Sequence, residues 1–317
     1  MPFDLGYQFS RFHSSRPGYN GTSLQAAAQR FPSDDACFDH VMNVRQLAFS
    51  VCRKCGKEGR WHRRGDAKYV QHPCGAVFSP LAGTVFHATK LPLRLWFYAM
   101  LHFANSSEGV TGGLLQRQLG ISYLAAYRMA QMIRRHLAAV EGAAAGHFAD
   151  HQVHVRLEIL HHVRSSDSQS STANVLLASN GSRVDTSVLA EARRHQVKSA
   201  LPLMHANGPW LTTCDRTARV ASAYGTRRPL ASYAPTYFID HPAEPDLISG
   251  FMSYFLWPFQ TNHKHVSRTH LWLYLKEFQF RYNRRNRSGE TYWDMVNTFP
   301  VISGASSMPE QVALKAS

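Results

Sequence analysis

Cys52-Arg53-Lys54-Cys55, then His72-Pro73-Cys74, then Phe78-Ser79-Pro80-Leu81-Ala82-Gly83-Thr84-Val85-Phe86 open the stretch from Phe49 to Leu137 around which the chain is organised. Two thiols on a short knuckle, followed by a second thiol-bearing turn, have the spacing of a zinc ribbon. A tetrahedral zinc takes four soft or borderline ligands, and Cys52, Cys55, His72 and Cys74 can supply them. Gln71 stands where a C-x-x-C pattern would place its first thiol, and His72 is the substitute one residue on. The alternative reading is a ribbon-shaped turn without its metal.

Leu91 to Ala104 reads as an apolar helix. Gly112 to Leu119 and Tyr123 to Leu137 read as two more, joined by Gly120-Ile121-Ser122. A glycine in the turn and a serine to cap the second helix suit a helix-turn-helix. The second helix is expected to expose Arg128, Gln131, Arg134 and Arg135 to phosphates or base edges. An ordinary helical hairpin with a solvated face is the alternative.

Upstream, residues 1–22 read as an extended arm, and Phe31-Pro32-Ser33-Asp34-Asp35 as a capped helix start. Cys37 is expected in the core of that helix. Downstream, Glu141 to Gly146 reads as a boundary, Val153 to Leu160 and Asn174 to Ala178 as strands, Val184 to Val197 as a helix, and Trp210 to Cys214 as a strand. A last helix carries an apolar stripe at 271, 274, 275, 278 and 282. Arg281, Arg284 and Arg285 are candidates for a nucleic-acid track along its other side.

These 317 residues are 44% hydrophobic, enough to bury one or two cores. The formal net charge of +14 favours a polyanionic partner. DNA is the first expectation, with RNA, protein partners in a larger complex or an anionic membrane surface open. Five cysteines, three of them in the ribbon, fit metal in a reducing, intracellular compartment better than a disulfide framework. No apolar run is long enough to span a bilayer. Arg11, Arg16 and several serines leave organellar import open, against Asp4. The histidines at 161, 162, 263, 265 and 270 read as scattered rather than as a second metal site.

The ribbon together with Phe78 to Phe86, Leu91 to Phe97, Phe103 to Ser106 and Leu119 to Tyr123 resembles the ISXO-type bacterial insertion-sequence transposases. The likeness resumes over Asp246 to Asn283. It implies an α+β chain: a helix and zinc ribbon over 23–90, a helix-turn-helix over 91–140, an RNase H-like mixed-sheet domain over 147–287 with helices at its end, and a tail over 288–317. It further implies DDE chemistry, in which clustered carboxylates hold two divalent metals.

The family's Val-Glu-Val-Asp-Glu-type run matches Val153 to Leu157, placing Arg156 at the aspartate and Leu157 at the glutamate. Glu158 projects from the same strand face as Arg156. Asp215 matches the second carboxylate, Asp246 takes the asparagine position of a His-Thr-Asn motif, and Ser249 stands where an acid belongs. The family's Lys-Arg-Gly becomes Leu256-Trp257-Pro258, with a helix breaker at its end. The resulting expectation is a transposase-derived nucleic-acid-binding or scaffold protein that is catalytically inactive and part of a nucleoprotein assembly, with structural Zn2+. One alternative is an active transposase using Mg2+ on Glu158, Asp215 and Asp246; another is a protein-interaction subunit with no nucleic-acid role.

Overall fold

A computed structural model describes residues 21–59, 61–65, 68–143, 153–160, 172–189, 210–212, 247–263 and 266–302. The described residues form a mixed α+β chain with eight helices and two small sheets. It divides into two compact units. Unit 1 comprises Met1–Ser106, Val110–Val140 and Asn286–Gly304; unit 2 comprises Ser107–Gly109, Glu141–Arg285 and Ala305–Ser317. Among the described residues, no helix is long and apolar enough to cross a membrane.

Unit 1 begins with α1 (Leu24–Arg30) and α2 (Asp34–Arg45), capped by Ser23 and Ser33, whose hydroxyls accept the N–H groups of Ala26 and Ala36. Asp34 and Asp35 add negative charge to the first turn of α2, where the helix dipole favours it. Asp34 serves a second helix as well. α3 (Leu93–Asn105) follows Pro92, which caps nothing, and the Asp34 carboxylate instead accepts the N–H groups of Leu93 at 3.1 Å and Arg94 at 3.0 Å. From Trp96 to Ala104 every residue of α3 is buried, making it the axis of the unit. Cys37 lies in the same core, where burial first and Asp34 second push its thiol up to about 12.

The chain returns to this core late. α8 (Thr291–Val296) packs on α3, burying Tyr292, Met295 and Val296, and the following Phe299 joins Phe86 and Phe97. The expected tail over 288–317 is therefore core structure in its first part. Tyr292 and Phe299 supply the apolar area that holds it there.

Between α2 and α3 lies a small antiparallel sheet of β1 (His62–Arg63), β2 (Val70–Gln71) and β3 (Val77–Phe78), with His62 opposite Gln71 and Val70 opposite Phe78. After α3 come α4 (Gly112–Leu119) and α5 (Tyr123–Ala143). Gly120 ends α4 in the left-handed region at φ 65°, and Ser122 accepts the Ala125 N–H at 3.3 Å to start α5. α5 runs past the expected end at Leu137. Its residues from Glu141 belong to unit 2.

Unit 2 holds a four-stranded sheet of β4 (Val153–Leu160), β5 (Ala173–Ser179), β6 (Val184–Leu189) and β7 (Trp210–Thr212), in the order β6-β5-β4-β7. β4, β5 and β6 form an antiparallel meander, while β7 runs parallel to β4. The stretch Val184–Leu189 was expected as helix and is strand. Val184, Thr186 and Val188 alternate toward the helices, and pairing with β5 overrides a helical period. α6 (Leu247–Asn262) and α7 (Arg268–Tyr282) cover that face, with Phe251, Phe255, Leu271 and Phe278 packed on Val175 and Leu177. Pro258 was expected to break α6, but the helix continues through it. Pro258 is itself buried.

Candidate functional site

The two knuckles of unit 1 are built by the same local device. Cys52 N–H donates to Lys57 O at 3.0 Å and Gly56 N–H returns to Cys52 O at 2.8 Å. In the second knuckle, His72 N–H donates to Ala76 O and Gly75 N–H to His72 O, both at 2.8 Å. Gly56 and Gly75 have φ of 67° and 82°, which lets each turn close this tightly.

The closure brings four donor atoms together. Cys52 Sγ and Cys74 Sγ are 3.7 Å apart, and His72 Nδ1 is 3.1 Å from Cys74 Sγ and 3.7 Å from Cys55 Sγ. All four lie within 4.8 Å of one another and could hold a metal ion. Ligands about 2.0–2.3 Å from a tetrahedral zinc are about 3.3–3.8 Å apart, so a small contraction of the widest spacing completes the fit. The thiols are free, and 3.7 Å is far beyond a disulfide bond.

The surroundings favour one thiolate over the other. Burial raises Cys52, but N–H groups of Cys55 and Lys54 directed at its sulfur outweigh that and hold it below its ordinary value. At Cys74 the Ala76 N–H pulls downward, yet burial and the neighbouring Cys55 and Cys52 sulfurs leave it raised. A cation shared among the sulfurs would relieve that mutual repulsion. His72 is buried, with Trp61 stacked at a tilt 5.1 Å away. A Cβ at Gly59 would stand 2.4 Å from His72 Nε2, so any larger residue there displaces the imidazole. Sequence reasoning missed Gly59, because the ligand spacing carries no sign of it.

The second polar cluster lies on β4 in unit 2. Arg156 Nη1 donates to Ser249 Oγ at 2.7 Å, and Arg156 Nε pairs with Glu158 Oε1 at 2.6 Å. Arg156 and Glu158 sit on the sheet face that α6 covers, since Arg156 is opposite Leu177 and Glu158 opposite Val175, and Ser249 lies on α6 itself. Asp215 and Asp246 lie outside the described residues.

The expected nucleic-acid residues divide sharply by exposure. On α5, Arg128 is exposed and Arg135 half-buried, but Gln131 and Arg134 are buried. Arg134 donates to Val110 O and lies over the Phe103 ring, tying α5 to the loop before α4. The exposed start of α5 instead presents Tyr123, Leu124 and Tyr127 beside Arg128.

On α7 and just beyond it, Arg285 is exposed, whereas Arg281 pairs with buried Glu277 at 2.9 Å and Arg284 pairs with buried Glu141. Burial alone would raise Glu141, but Arg284 and Arg183 outweigh it and hold the carboxyl below its usual range. Asn283 Nδ2 and Gln279 Nε2 also donate to this carboxylate, at 2.8 and 3.2 Å. Arg281 and Arg284 thus balance interior charge instead of lining a surface. The helical stripe could not reveal this for Arg284, because Glu141 is distant in sequence.

Comparison of the chain with protein-family models, curated proteins and solved structures returns no match.

Proposed function

We propose that this chain is a nucleic-acid-binding or scaffold subunit built on a transposase frame, with zinc in its Cys/His knuckles and without strand-transfer chemistry. The observation that carries this reading is the Arg156 contact with both Ser249 and Glu158. By resemblance, positions 156 and 249 are where two metal-binding acids belong. They come from distant segments and meet as a guanidinium and a hydroxyl. A cation beside Arg156 would be repelled, and Glu158 already has its countercharge.

Other features support the same frame. A meander whose first strand takes a parallel partner suits an RNase H-like sheet. The capped three-residue turn between α4 and α5 suits a helix-turn-helix, with Tyr123, Tyr127 and Arg128 as its outward groups. The net charge of +14 suits phosphate contacts.

The deciding experiment pairs metal analysis with salt-titrated binding to DNA and RNA. One zinc per chain and affinity that falls steeply with salt are expected. Binding with no salt dependence would favour a protein partner. Magnesium-dependent cleavage of DNA that is lost in Asp215→Ala would overturn the inactive reading.

A further inference from the structure

We propose that the cleft beside the Cys/His knuckles of unit 1 receives one unstacked nucleotide of a single strand, its base on an aromatic wall and its phosphate on a basic lip. This rests on the nucleic-acid reading above and narrows it to single strands at a stated place. The cavity measures about 740 Å³. That lies within the roughly 300–1,000 Å³ usual for ligand sites and is ample for a nucleotide.

One wall is three rings. Phe49 and Phe78 have centroids 4.5 Å apart, and Trp61 lies 5.3 Å from Phe78. The Trp61 indole N–H is committed to Phe49 O at 2.8 Å, which fixes the orientation of its ring. Such faces accept any base by stacking, so they bind without a sequence preference. Val77, 45% exposed, continues the apolar wall outward.

The lip carries Arg53 and Lys54, both exposed on the first knuckle, and among the described residues no carboxylate lines the cavity. Its floor holds Arg45, only 7% exposed, which donates through Nη1 to Pro80 O and, at 3.0 Å, to Ala82 O. Its guanidinium lies over the Phe49 ring, 5.8 Å from the centroid, and so backs the aromatic wall from inside. Bases stacked within a duplex cannot enter such a cleft, whereas a splayed one can.

The test uses the full zinc-loaded chain, a labelled oligothymidylate, a duplex of matched length, and thymidine monophosphate. Val77→Glu puts a carboxylate on an exposed position of the wall, and unchanged zinc content and circular dichroism report that the fold is intact. It is expected to weaken single-strand binding about tenfold or more, the worth of a stacked base, while leaving duplex binding unchanged. Removing both lip cations, Arg53→Ser with Lys54→Ser, is expected to lower the log–log salt slope for the single strand by about 1.4. Saturation transfer by NMR from the native chain to the base protons of thymidine monophosphate is expected, and is lost in Val77→Glu. Native-like single-strand affinity in Val77→Glu, or no transfer to the mononucleotide, overturns the cleft while the proposed function stands. Transfer without binding to any longer nucleic acid keeps the cleft as a nucleotide site and sinks the proposed function instead.

Discussion

The knuckles of unit 1 and the interior of unit 2 handle polar groups in opposite ways. Cys52, Cys55, His72 and Cys74 bring four metal-ligating donor atoms within 4.8 Å of one another, a geometry that could hold an ion. In unit 2 the carboxylates that leave solvent find a cation of the same chain: Glu141 with Arg183 and Arg284, Glu277 with Arg281, Asp185 with Lys276, Glu158 with Arg156. Metal affinity depends on uncompensated donors more than on their number. One region could be completed by an ion, and the other is closed by its own charges.

Breaking the first region should have the largest effect. Metal coupling in small zinc modules is worth about 10–16 kcal/mol of folding energy. Chelation, or Cys55→Ser, is therefore expected to unfold the β1–β3 sheet, read as loss of the Trp61 near-UV signal together with loss of bound zinc. A knuckle that keeps both would show that the turns hold themselves closed.

Breaking the second region comes next. Glu141→Gln leaves Arg183 and Arg284 facing a neutral amide at a buried site. A cost of about 3–5 kcal/mol is expected in denaturant melts. A loss below about 1 kcal/mol would mean that the cations relax to solvent and that the interior is not charge-locked.

Acid probes the contrast from a third side, through the neutral interior of unit 1. His136 is fully buried, with Nε2 at 2.9 Å from Met295 O. Burial takes it down to about 4. An unfolded imidazole titrates near 6.5, so between about 6.5 and 4 the unfolded chain binds a proton that the folded chain refuses. Stability is full above that window and falls as pH drops through it. By pH 5 the loss from this group is roughly 2 kcal/mol, and His136→Leu is expected to flatten the acid limb of thermal melts by that amount.

Gly59→Ala is the mildest test. Its new Cβ crowds His72 Nε2 and should weaken metal binding about 10–100-fold in competition with a chromophoric chelator, leaving the rest of unit 1 folded.

Much of the frame is legible in the sequence where local chemistry decides it. Ser33-Asp34-Asp35 begins a helix, Gly120-Ile121-Ser122 turns between two, and alternation marks β4. The four donors of the knuckles are readable from spacing because both turns are short and each ends in glycine. What is not legible depends on partners far along the chain. Arg134 and Arg284 read as surface cations until Val110 and Glu141 are found beside them. Val184–Leu189 reads as helix until β5 supplies a strand to pair with. The Arg156–Ser249 contact joins positions that a resemblance can align but only the fold can bring together.

The central contrast is tested most directly by a Mn2+ titration of the zinc-loaded chain, followed by the EPR signal of the free ion. The expected result is no stoichiometric uptake by the native chain, with binding gained when Arg156→Asp and Ser249→Glu restore two acids on β4 and α6. Submillimolar uptake of one or two ions by the native chain, abolished in Glu158→Gln, would contradict the account.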